Sequence, residues 1–130
     1  MSYTRFQKKV GTVAKTLKID KEMYDWMKQN GLVVNRTLNY ALLAYERALQ
    51  TDVIKPTEHT VVGRRNRRKT PDALIAISAR LRRDLLDYLE INSLTVNGSV
   101  NEALEWLFLD TDTYYAQHGK PAPWLAQLIK

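Results

Sequence analysis

Residues 13–19 alternate, with Val13, Leu17 and Ile19 on one side and Ala14, Thr16 and Lys18 on the other. That is the period-two pattern of a half-buried strand. Lys15 interrupts the apolar side and is expected to mark a strand end that reaches solvent. Met23, Trp26 and Met27 then follow at i, i+3 and i+4, which predicts a helix over about 21–30, with Asp20 as its N-cap and Asn30-Gly31 as its stop. A second helix over about 35–50 turns Leu38, Ala41, Leu42, Tyr45 and Leu49 inward. Pro56, Gly63 and Thr70-Pro71 break residues 51–72 into a linker. Beyond it the pattern predicts a strand at about 74–81 and a helix at 83–92 carrying Leu85, Leu86 and Leu89. A helix at 96–109 follows, with Val100, Ala103, Leu104 and Leu107 on its inner face. The remaining residues, 111–130, hold Tyr114, Tyr115, Pro121, Pro123 and Trp124 and are expected to end in a short helix.

The second half echoes the first at an offset of 62 positions. Val13 through Ile19 lies over Ile75 through Leu81, and Asn35 through Leu42 lies over Asn97 through Leu104. Core positions match in register: Met23 with Leu85, Met27 with Leu89, Leu38 with Val100, Tyr45 with Leu107. A lone strand leaves its backbone N–H and C=O groups unpaired, so two copies of one strand invite pairing with each other. The expected organisation is a basic arm at 1–11, a first unit at 12–50, a basic linker at 51–72, a second unit at 73–110 and a tail at 111–130.

Composition narrows the function classes. The chain has 130 residues, 45% of them hydrophobic, which supports one compact core or a pair of small units. It has no cysteine, which removes disulfide, zinc-knuckle and thiol chemistry and fits a reducing cytoplasm, the expected location. No apolar run follows the basic N-terminus, so a signal peptide is not expected, and no stretch approaches a transmembrane span. The two histidines, His59 and His118, are isolated, no glycine-rich phosphate loop is present, and neither catalysis nor a metal or other cofactor is expected.

The net charge of +6 is concentrated. Arg5, Lys8, Lys9, Lys15 and Lys18 precede the first acid, Asp20, and Arg64, Arg65, Arg67, Arg68 and Lys69 fall within 64–69. The two blocks together exceed the net charge, so the rest of the chain is acidic overall. Each block leads up to or into a predicted strand, which points to a polyanion and above all to nucleic acid.

Strand, short helix, turn and longer helix, with a hydroxyl or a base at alternate strand positions, resembles the ribbon-helix-helix superfamily of the Arc, MetJ and CopG repressors. The second unit carries the closer likeness, in Leu81-Arg82-Arg83-Asp84-Leu85-Leu86-Asp87-Tyr88-Leu89 and in Thr95-Val96-Asn97-Gly98-Ser99-Val100. Two copies in one chain resemble the tandem arrangement of TraY-type plasmid-transfer proteins. The resemblance covers about 13–50 and 74–109. It implies a mainly α fold with a two-stranded antiparallel ribbon: a tandem ribbon-helix-helix pseudo-dimer, ordered β-α-α-linker-β-α-α. In both copies the first helix is about one turn shorter than is common in the family. Val33 stands where the second copy has Thr95, so Asn35 is expected to take the N-cap role in the first.

A two-stranded ribbon fits the major groove, where each base pair presents its own donor and acceptor pattern. The candidate base readers are the outward strand residues, Ala14, Thr16 and Lys18 in the first copy and Ala76, Ser78 and Arg80 in the second. Packing does not require that match on a solvent face, whereas reading two similar half-sites does. An arginine bonds bidentately to guanine O6 and N7, and a lysine offers the same edge a less directional contact. The resemblance further implies phosphate contacts at the start of each second helix, at Val34, Asn35 and Arg36 and at Thr95, Val96, Asn97 and Gly98. The same residue types also serve ordinary helix capping. The arginine run and the N-terminal arm are expected to track phosphates or enter a minor groove.

The expected partner is therefore double-stranded DNA with imperfect two-fold half-sites, and the expected role is transcriptional regulation. The alternatives are an accessory protein at a plasmid transfer origin and an antitoxin-like protein-interaction module. Tyr114, Tyr115 and Trp124 in the tail either fold back over the core, the favoured outcome, or support self-association or a protein partner through residues 111–130.

Overall fold

In the computed structural model, residues 11–56 and 73–129 are described. The candidate arm residues Arg5, Lys8 and Lys9 and the linker residues Arg64, Arg65, Arg67, Arg68 and Lys69 lie outside them. Strand β1 (Thr12–Asp20) leads into helices α1 (Lys21–Gln29) and α2 (Val34–Gln50). Strand β2 (Leu74–Arg82) leads into α3 (Arg83–Ile91) and α4 (Val96–His118), and a short 3-10 helix spans Pro123–Gln127. The architecture is mainly helical around a two-stranded antiparallel sheet.

The alternating strands pair as their backbone groups require, from Thr12 opposite Arg82 to Asp20 opposite Leu74, with Thr16 facing Ser78 at the centre. On one face Leu17, Ile19, Ala79 and Leu81 are buried. They join Met23, Met27, Leu85 and Leu89 from the short helices and Leu38, Leu42, Tyr45, Val100, Leu104 and Leu107 from the long ones in a single core. Lys15 departs from expectation: it stands in the interior of β1, opposite Ala79, and is nonetheless exposed. Its four-carbon stem allows a charged head to stay in water beside an apolar face, so it marks no strand end.

The turns after α1 and α3 are alike. Gly31 (φ 68°) and Ser93 (φ 57°) both take the left-handed conformation after their helices. Just before them, the side-chain amides of Asn30 and Asn92 donate to Trp26 O and Tyr88 O, both at 2.8 Å. Helix starts differ more. Asp20 occupies the N-cap position of α1, but its side chain makes no capping bond. Thr95 caps α4 through its hydroxyl, which accepts from the Gly98 N–H at 3.2 Å. Val33, not Asn35, is the N-cap of α2. Asn35 lies one residue inside that helix because its side-chain oxygen accepts from the Arg80 N–H instead.

Helix α4 runs to His118, past the expected end at 109 and across the expected boundary at 110/111. Thr111 is buried one turn beyond Leu107, so the inner face continues, and no glycine or proline intervenes before Gly119 (φ 67°) ends the helix. The chain then folds back, burying Ala122, Leu125 and Leu128. The Val33 N–H donates to Leu128 O at 2.7 Å, and Leu32 forms a β-bridge with Ile129. Trp124 donates its indole N–H to Thr111 Oγ1 at 3.1 Å and meets the Tyr114 ring edge-on. The tail thus covers the turn before α2. No helix among the described residues is long and apolar enough to cross a membrane.

Candidate nucleic-acid interface

The core-facing register of the ribbon decides what its other face displays. Ala14 pairs with Arg80, Thr16 with Ser78 and Lys18 with Ala76, and all six side chains are exposed on that face. Each cation stands across from an alanine, so the two charges lie on opposite strands toward opposite ends. Four residues of strand separate the two cationic positions, about 13 Å along the ribbon.

The edges of the ribbon are held by asparagines, and each long helix holds the strand that begins the other half of the chain. From α2, Asn35 Oδ1 accepts from the Arg80 N–H at 3.1 Å, and Asn39 Oδ1 accepts from the Arg82 N–H at 2.8 Å. The Asn39 amide also donates to Arg80 O at 3.0 Å. From α4, Asn97 Oδ1 accepts from the Lys18 N–H at 3.2 Å, and Asn101 Oδ1 accepts from the Asp20 N–H at 2.8 Å. The Asn101 amide donates to Lys18 O at 3.0 Å. A strand edge otherwise leaves these groups unpaired and open to another chain.

This clasp seats a helix N-terminus beside each edge of the ribbon. The first N–H groups of a helix have no partner within it and carry the positive end of its dipole. At α2 the N–H groups of Val34, Asn35 and Arg36 have no acceptor among the described residues, and Arg36 is exposed. At α4 those of Val96 and Asn97 are likewise open, whereas the Gly98 N–H is taken by Thr95. Asn35 and Asn97, expected at phosphate, thus commit their side-chain oxygens to the ribbon, while their backbone and side-chain N–H donors keep no acceptor among the described residues. The arrangement offers hydrogen-bond donors and positive charge along both borders of a polar face.

Asn39 and Asn101 are not among the site residues that the sequence predicts. Their signal was present, since they recur at the 62-residue offset and lie one turn after Asn35 and Asn97. Glu46 was missed as well. It is buried on α2 (3% exposed) with no partner for Oε2 among the described residues, and its carboxyl is pushed up to about 8, by burial first and by Asp84 second, with Arg82 opposing. Arg82 itself forms a two-pronged bond to Asp84, with Nε to Oδ1 at 3.0 Å and Nη2 to Oδ2 at 2.6 Å. Partial burial and Glu46 raise the Tyr88 hydroxyl above its ordinary value. The position equivalent to Glu46 in the second half is Phe108, which packs edge-on against Trp26. Among the described residues no three His, Asp or Glu side chains converge as a metal site would require. Comparison with family models, with curated proteins and with solved structures returns no match.

Proposed function

We propose that the chain is a tandem ribbon-helix-helix protein that binds double-stranded DNA sequence-specifically, as a built-in dimer, and acts as a transcriptional regulator. One observation carries the reading: the six outward strand residues share a single exposed face that has an open helix N-terminus on each border. In the major groove such a face reads base edges with Arg80 and Lys18, while Thr16 and Ser78 add hydroxyls near the centre. The helix N-termini then meet the flanking phosphates and fix the register of the ribbon on the duplex. The arginine-rich linker and the basic arm add sequence-independent, salt-sensitive affinity.

Selection from a pool of random duplexes by the purified chain tests the reading. An imperfect inverted repeat, occupied by one chain, is expected to be enriched. A bound pool no different from the starting pool contradicts it. Mapping the selected sites on a genome then separates a regulator, with sites at promoters, from a transfer accessory, with a site beside a nicking sequence.

A further inference from the structure

The two cations of the ribbon are not held alike. Arg80 directs its Nε–H to Thr12 Oγ1 at 3.0 Å, and its Nη2 approaches the Thr12 carbonyl at 3.4 Å. Thr12 lies two residues from Arg80's pair partner Ala14, toward the outer end of the ribbon, so the guanidinium runs away from the Thr16–Ser78 centre. These bonds use one side of the guanidinium, the Nε–H and the neighbouring Nη2 proton. The opposite prong, formed by Nη1 and the second Nη2 proton, has no partner among the described residues, and it has the spacing of two acceptors on one base edge. At the other end of the ribbon, the residue equivalent to Thr12 is Leu74, which has no side-chain acceptor, and Lys18 carries a freely rotating ammonium.

From this asymmetry we infer that Thr12 is a positioning residue that presets Arg80 for a guanine at the outer position of one half-site and so gives the bound site its direction. The inference rests on the reading of the ribbon as a DNA-reading face. A donor fork fixed before binding loses less freedom when it meets O6 and N7, and it tolerates other bases less well. Lys18, whose ammonium has no such partner among the described residues, accepts more than one base at its own end. The two half-sites are then unequal because one guanidinium is held and one ammonium is not.

Random-duplex selection with the full chain, comparing wild type, Thr12→Val, Thr12→Ser and Arg80→Ala, tests the assignment. Wild type is expected to select a guanine strongly at one outer position only. Thr12→Val should lose roughly tenfold of that preference, with affinity for random DNA and the unfolding midpoint unchanged. Thr12→Ser should keep it, and Arg80→Ala should abolish it. Full preference in Thr12→Val overturns the positioning role. So does tighter specific binding in that variant, which would make Thr12 a latch that competes with DNA, and so does equal weakening on all sequences, which would place Thr12 on phosphate. If wild type selects nothing, the DNA reading itself fails and this inference falls with it.

Discussion

Asparagines 35, 39, 97 and 101 join the two halves of the molecule, each through a short side chain that matches a backbone N–H or C=O at a strand edge. Asn39→Ala and Asn101→Ala each leave partly buried strand donors unpaired. Each is expected to cost about 1–3 kcal/mol, read as a lower urea midpoint at an unchanged slope. Glu46 sets a pH dependence. Its folded carboxyl, at about 8 against an ordinary 4.5, holds a proton more tightly than the unfolded chain does. This site therefore favours the fold fully below 4.5, and the contribution is lost as pH rises through 8. Thermal unfolding across that range should show wild type weakening with pH and Glu46→Gln nearly flat. The outward strand residues were legible from alternation alone. The clasp and the buried acid were not, because alternation reports which side a residue faces and says nothing of which backbone group its polar atoms meet.

At the scale of elements, strands and short helices follow from period-two and i, i+3, i+4 spacing, and their observed bounds lie within a residue or so of those expected. The misjudged element is α4. Its core stripe thins after Leu107, but Thr111 continues the buried face and the first breaker is Gly119. The tail that follows seals the α1–α2 turn through Leu128, which is 2% exposed. Leu128→Ala should cost roughly 2–4 kcal/mol in chemical denaturation, with affinity for DNA little changed below the transition. A large loss of DNA affinity in that variant, while it is still folded, would instead assign the tail to the interface. The tail bridges the turn before α2, whereas among the described residues no backbone bond or bridge from another element reaches the equivalent turn at Ser93, which adds a second inequality between the halves.

For the whole molecule, each long helix clasps the strand of the other half, so neither half has a complete set of hydrogen-bond partners alone. Unfolding is therefore expected to be a single transition independent of protein concentration, and light scattering should show one chain at concentrations where a dissociable dimer would change mass. Neutralising Arg64, Arg65, Arg67 and Arg68 should lower affinity for all duplexes and flatten its salt dependence. An unchanged salt slope would remove the linker from the interface. On the proposed function the ribbon lies in the major groove and reads two unequal half-sites. Dimethyl sulfate footprinting on a selected duplex reports guanine N7 in the major groove and adenine N3 in the minor groove in one experiment. Protection of guanine N7 in two unequal patches, the stronger of them lost in Arg80→Ala, is the predicted result. Protection confined to adenine N3, or none at guanine N7, would contradict it.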